Sequence, residues 1–240
     1  MYNSARSYIK DKMSSPTQTF ENNIGTENSL SISKRLLWIA IGWAIQLIYL
    51  PTSSWFTGGV QPKLSIDIFP LWPVWVIPYV LCYPLWIAGF AWAAFKMSDR
   101  MFRAFVLAFL VTCSVSIVIF FIYPTYVPKA ELHGDGPLIF LLRLLHENAG
   151  RYNALPSGHI YITALLTFFY SLWYPRFRSL WILILVIVSF STLFTLQHYI
   201  LDIVAGLLVA ALGYYVGLKW TGYSSGQFPP AENKPSPASP

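Results

Sequence analysis

Six apolar stretches constrain this chain more than any other feature: residues 36–50, 70–95, 102–123, 159–173, 180–197 and 199–220. A helix needs about 20 mostly apolar residues to cross a bilayer, so each stretch reads as a membrane-spanning helix. The stretches 36–50 and 159–173 are short for that task. The stretch 70–95 carries Pro70, Pro73, Pro78 and Pro84, which predicts a kink or a late start. Membrane helices tolerate this where neighbours re-satisfy the backbone. Only 11% of the 240 residues are charged, against about 25% in soluble domains. The 18% aromatic content suits Trp and Tyr anchors at the bilayer surface. The expected fold is all-α, a six-transmembrane-helix bundle spanning residues 35–220. Polar residues 1–34 and the Pro- and Ser-rich tail 221–240 lack the apolar surface a core needs and are expected to be disordered.

Charge gives an orientation. With six spans, Lys63, Lys129, Arg143 and Arg151 fall on one side, and the other twelve of the 16 Lys and Arg residues fall on the other. Basic residues favour the cytoplasm, so the termini are expected there. The long loop 124–158 then faces outward. The net charge of +6 reads as this asymmetry rather than as a nucleic-acid surface, because no polar segment interleaves basic and aromatic residues. The polar N-terminus is not a cleavable signal peptide. Cys82 and Cys113 lie in apolar runs and read as packing residues.

Two polar clusters interrupt the apolar text. "NALPSGH" at residues 153–159 opens the fourth span, and "STLFTLQHYILDIVAG" at residues 191–206 bridges the fifth and sixth. His198 and Asp202, four apart, share one helix face. An Asp that accepts the Nδ1 proton of a His fixes its tautomer and raises the nucleophilicity of the other nitrogen. Between His159 and His198 lie two apolar runs joined by "YPRFRS", a helical hairpin that returns the chain to the face it left. Both histidines are therefore expected on one face and close in space. Two histidines, an Asp and a Ser-Gly turn suit phosphoryl transfer through a phosphohistidine. One His attacks phosphorus and the other protonates the leaving oxygen. Ser157, the Gly158 N–H at a helix start and nearby cations would hold the phosphate oxygens.

"PSGH" followed by Ser191, Thr192, His198 and Asp202 resembles the type 2 phosphatidic acid phosphatase superfamily, whose soluble relatives are the vanadium haloperoxidases. The resemblance implies His198 as nucleophile, Asp202 as its orienting partner, His159 as acid for the leaving group, a six-helix core and no metal or other cofactor. The pattern departs from the phosphatases in two places. Thr192 stands where they carry an Arg, and in "YPTYVPKAEL" Lys129-Ala130 stands for Arg-Pro, with Ile122 rather than Lys seven residues earlier. These departures look more like the inositol phosphorylceramide synthase branch, which moves a phospho-headgroup between lipids. Fewer cations would suit a singly charged phosphodiester. Lys129, Thr192 and Arg151 remain as further phosphate contacts.

Other readings compete residue by residue. His198 and Asp202 could be a polar pair gluing helices, or could join His159 around a metal. Ser157 could be an ordinary helix cap. Lys129, Arg143 and Arg151 could be solvated loop charges, and His133 and His146 read as loop residues. Asp67 is expected to cap or orient the second span. The expected function is a membrane lipid phosphatase or phosphotransferase acting on a phosphate or phosphodiester headgroup at the outer leaflet. The alternative is a non-catalytic lipid-binding or transport protein with a decayed site.

Overall fold

The computed structural model describes residues 29–56, 58–148 and 150–222. Most of the polar segment 1–34 and of the tail 221–240 lies outside these residues. The described elements are helical: α1 (Ile32–Leu47), α2 (Tyr49–Trp55), α3 (Val76–Lys96), α4 (Asp99–Ile122), α5 (Pro137–Asn148), α6 (Gly158–Trp173), α7 (Arg178–Phe194) and α8 (Ile200–Thr221). Single 3-10 turns, Pro73–Trp75 and Pro175–Phe177, lead into α3 and α7. No strand occurs among the described residues; two isolated bridges, Val60 with Thr125 and Tyr126 with Tyr152, fasten loops to one another.

Five segments are long and apolar enough to cross a membrane: Ile32–Trp55, Pro73–Lys96, Asp99–Ile122, Pro175–Phe194 and Ile200–Thr221. The chain is accordingly a multi-pass membrane protein. The expected sixth, α6, has 16 residues, or about 24 Å at 1.5 Å per residue. It packs against α3, α4, α7 and α8, and most of its side chains are buried. A helix so enclosed meets protein rather than lipid, so bilayer thickness sets its length less strictly than it does for a peripheral span. The prolines of the second stretch act as read from the sequence: the helix starts at Val76, with only Pro78 and Pro84 inside it.

Small residues set the closest packing. On α8, a Cβ at Gly213 would run into Thr112 and the Ala108 carbonyl, and one at Gly217 into the Ala104 carbonyl, all on α4. Lipid tails give apolar helices little reason to associate, so close backbone approach and interhelical hydrogen bonds supply the attraction. Thr112 Oγ1 donates to the Val209 carbonyl at 3.4 Å. At one end of the bundle the Arg35 guanidinium donates to the Ala94 and Met97 carbonyls at 2.9 and 2.7 Å and pairs with Asp99. Arg100 donates to the Thr221 carbonyl at 3.0 Å. These bonds tie the starts of α1 and α4 to the end of α8. The start of α8, with His198, lies at the opposite end.

The loop 124–158 contains a helix that the sequence reading missed. In α5, Leu142 and His146 are buried while Phe140 and Leu144 are exposed, so apolar side chains stand on both faces.

The close packing of α4 and α8 gives a stability prediction. Gly217→Val should destabilise the detergent-solubilised protein by about 1–3 kcal/mol through overpacking, read as a lowered unfolding midpoint. An unchanged midpoint would contradict the packing described.

Candidate active site

Asp202 is the third residue of α8 and is fully buried. One carboxylate oxygen, Oδ2, accepts the Tyr199 N–H at 2.9 Å and pairs with His198 Nδ1 at 3.1 Å. The first contact caps the helix and the second orients the imidazole, leaving Nε2 for chemistry. The Asp202 backbone carbonyl accepts the Ser157 N–H at 3.1 Å, which joins the start of α6 to the start of α8. Gly206, one turn on, permits this approach: a Cβ there would stand 3.0 Å from Ile160 and 3.1 Å from the Ser157 carbonyl.

The turn carrying His198 is held independently. Thr192, fully buried at the end of α7, presents its carbonyl to the Gln197 and His198 N–H groups at 3.0 and 3.2 Å. Leu196 takes up φ 55°, a left-handed conformation uncommon for a branched side chain. The loop before α3 closes the other side. Asp67 Oδ1 accepts the Ile200 N–H at 3.0 Å, Oδ2 accepts the Leu64 N–H at 2.7 Å, and Gln61 bonds the Tyr199 hydroxyl. Asp67 thus caps the last span, α8, rather than the second, as the sequence reading had it. An acidic group is favoured at a helix N-terminus.

The hairpin brings the two histidines together, with ring centroids 6.3 Å apart. His159 is buried at 9% exposure. It stacks on Tyr79 at 4.0 Å and meets Tyr83 and Trp86 at 5.5 and 5.3 Å. Sequence reading took these aromatics for interface anchors. Their spacing on α3, i, i+4 and i+7, places them on one helix face and was the signal that could have found them. Trp86 Nε1 donates to Thr163 Oγ1 at 3.0 Å, fixing α3 against the face of α6 that carries His159.

Two cavities meet at His198. The smaller, about 50 Å³, is bordered by Lys129, Gln197 and residues 150–154, which include Arg151. The larger, about 250 Å³, is walled by aromatic and aliphatic side chains and includes His159 and Gly158. Tyr49, Tyr79, Asn153 and His198 line both. The cation-lined cavity and the apolar one thus share His198 as a common wall.

The expected residues are not all brought together. His159, His198 and Asp202 converge, Lys129 and Arg151 share the smaller cavity, and Gly158 reaches the larger. Ser157 and Thr192 line neither. The Ser157 hydroxyl is buried without a partner, and Thr192 Oγ1 donates back to the Ser189 carbonyl at 2.8 Å. Among the described residues, no three His, Cys, Asp or Glu side chains gather as a metal site would require. His146 is part of the surroundings rather than a free loop residue. Its Nε2 accepts from Gln197 Nε2 at 2.7 Å, and its carbonyl accepts from Lys129. Burial and the Lys129 charge lower its pKa, which keeps it neutral as that acceptor role requires. Burial and the neighbouring Arg151 lower the pKa of Lys129.

Comparison with known proteins identifies one family: the model of the PAP2 superfamily matches residues 71–216. No curated protein matches the chain.

The Asp67 contacts can be tested without an assay of function. Asp67→Ala removes the acceptor of two part-buried N–H groups, at roughly 0.5–1.5 kcal/mol for each hydrogen bond. The unfolding midpoint should fall. Asp67→Asn, which keeps an acceptor oxygen, should recover part of the loss. Equal midpoints for all three proteins would remove Asp67 from the scaffold of the site.

Proposed function

The chain belongs to the PAP2 superfamily, and from that premise we propose a membrane enzyme that transfers phosphoryl or phospho-headgroup units from a lipid through a phosphohistidine. The observation that carries this reading is the His198–Asp202 pair at 3.1 Å, facing His159 and set between a cationic and an apolar cavity. A polar pair serving only as helix glue needs neither a second histidine nor cations beside it.

In the first half-reaction, His198 Nε2 attacks phosphorus while His159 carries a proton. The phosphorus–nitrogen bond forms, the phosphorus–oxygen bond to the lipid breaks, and the leaving oxygen takes the proton from His159. Asp202 stabilises the charge that develops on the His198 ring. Lys129 and Arg151 face the non-bridging oxygens, where charge-assisted contacts are strongest. In the second half-reaction, neutral His159 removes a proton from the acceptor hydroxyl. That oxygen attacks phosphorus, and the phosphorus–nitrogen bond breaks with its electrons returning to Nε2. Water as acceptor makes the enzyme a phosphatase; a lipid hydroxyl makes it a transferase.

Charge favours the transferase. A phosphate monoester carries nearly two negative charges at neutral pH, because its second pKa is about 6, and a diester carries one. Thr192 brings no cation, so Lys129 and Arg151 alone serve the phosphate in the small cavity. This balance suits a diester donor and an acceptor lipid, as in the inositol phosphorylceramide synthase branch. The proposal includes α6 as the sixth crossing, termini in the cytoplasm, an extracytoplasmic site and metal-independent turnover.

His198→Ala should abolish turnover and the ³²P label that brief exposure to a labelled phospholipid leaves on the protein. Asp202→Asn should cut the rate by orders of magnitude, as loss of the correct tautomer does in Ser-His-Asp enzymes. Full activity in His198→Ala would refute the phosphohistidine. Released phosphate measured against transferred headgroup separates the two outcomes, and rapid phosphate release without transfer product would overturn the transferase preference.

The pH profile tests Lys129. A lowered lysine pKa means that its charge is present at low pH and is lost, as pH rises, earlier than in an ordinary lysine. The alkaline limb of kcat/KM should therefore move to higher pH in Lys129→Arg, which stays charged. An unmoved limb would take Lys129 out of phosphate binding.

A further inference from the structure

The residues that carry the proposed chemistry lie within the matched region 71–216, but one wall of the larger cavity does not. Trp43, Gln46, Leu47 and Leu50, from α1 and the start of α2, line it. This wall lies outside the matched region. Gln46 is its polar feature, and a polar residue within a span is a functional hypothesis by default.

The orientation of the Gln46 carboxamide follows from its partners. The Tyr161 hydroxyl donates to Oε1 at 2.6 Å, and the Cys113 thiol points to the same oxygen at 3.4 Å. Two donors on one oxygen fix it as the carbonyl end and turn Nε2 the other way. No hydrogen bond from Nε2 to any described residue accompanies these contacts. Nε2 lies 3.7 Å from where a Cβ on Gly158 would stand, beside the backbone that carries His159. A pair serving only to glue α1 to α6 would be complete with the Tyr161 bond. Here the N–H donors are left over in an apolar cavity next to the proposed acid.

We infer that the larger cavity holds a lipid alcohol bearing a carbonyl close to its reacting oxygen, and that Gln46 is the donor that reads that carbonyl. The assignment of this cavity to the alcohol rests on the proposed phosphohistidine reading. His159 passes its proton to or from the alcohol oxygen and lines this cavity, whereas Lys129 and Arg151 line the other. Leaving alcohol and accepting alcohol exchange protons with the same base, so both occupy the same place in turn. An ester or amide carbonyl accepts the Gln46 N–H. A polyisoprenoid alcohol offers no such acceptor and would leave Nε2 unpaired in an apolar wall, at a cost. Specificity then comes from the contrast, because a site built around a hydrogen bond rejects the analogue that lacks it.

Binding of the unphosphorylated alcohols tests this apart from turnover. The probes are photoreactive analogues of a diacylglycerol, an N-acyl amino alcohol and a polyprenol, each in nanodiscs with the full chain. Labelling of α1 or α6 by an acylated probe, in preference to the polyprenol, is expected. The stronger of the two acylated probes identifies ester or amide as the source of the carbonyl. Gln46→Leu should weaken the preferred probe about three- to tenfold, the worth of one hydrogen bond, and leave the polyprenol unchanged. Tyr161→Phe, which keeps the ring but releases the Gln46 carboxamide, should lose part of the same preference if Gln46→Leu does not fold. Equal labelling by polyprenol, or a preference untouched by both Gln46→Leu and Tyr161→Phe, would overturn the inference. Acyl-selective binding in a protein with no transfer or phosphatase activity would instead overturn the proposed function and leave this cavity assignment as a lipid site.

Discussion

The hydrogen bond from the Ser157 N–H to the Asp202 carbonyl is the contact through which two separate motifs become one site. Asp202 places its carboxylate on His198 and its backbone oxygen on the residue two before His159. One residue thereby sets both ends of the distance between the two histidines. The arrangement also explains why the carboxylate is buried. Removed from water, Asp202 finds its charge balanced by two N–H donors and by the positive end of α8. Its second oxygen is left without a partner. Burying a carboxylate is costly unless it is hydrogen-bonded, so the surrounding backbone has to be held in place by other contacts.

Those contacts come from three parts of the chain. Thr192 supplies the carbonyl that closes the His198 turn, Asp67 and Gln61 clasp the first residues of α8, and Thr125 holds the segment before α6. The Thr125 carbonyl accepts the Asn153 N–H at 2.7 Å and its hydroxyl accepts the Leu155 N–H at 2.8 Å. The remainder of the bundle is packed by shape, through glycines that let α8 settle on α4 and aromatics that enclose His159. Polar contacts set the geometry at the His198 end, and close apolar packing along the bundle keeps that end from shifting.

What the sequence made legible follows from the range of the interactions involved. Apolar runs are local signals, so the helices were placed to within about six residues; the His198–Asp202 pair was read as one helix face, whereas His198 stands in the turn before α8 and meets Asp202 across the helix start. The convergence of His159 with His198 followed from topology, since a hairpin of two apolar runs admits little else. Residues whose roles depend on distant partners were not legible. Asp67 was assigned to the nearest helix, although its carboxylate reaches Ile200, 133 positions away. Thr192 was read as a phosphate contact because of its place in a motif, yet its side chain bonds within its own helix and its carbonyl does the structural work. The α5 helix was hidden because its exposed face is as apolar as its buried one.

The site is divided into a cavity with cations and an apolar cavity that share His198, and this partition bears on chemistry at a bilayer surface. A lipid phosphate has to present a charged group and a hydrocarbon chain to one catalytic pair without dragging either into the wrong medium. A charge carried into the apolar chamber would incur a large desolvation cost. A chain laid against Lys129 and Arg151 would strip water from them without offering a partner. In the proposed reaction a lipid phosphate would be sorted by solvation before any specific contact is made, with phosphorus left at the boundary where His198 stands. Asn153 sits at that boundary and lines both chambers. Thr52 Oγ1 spends its own proton on the Ile48 or Tyr49 carbonyl and accepts from Asn153 Nδ2 at 2.9 Å. The Asn153 amide can therefore point only one way, its Oδ1 buried without a partner. The fixed end of that side chain belongs to the scaffold, and the residue itself lines both chambers.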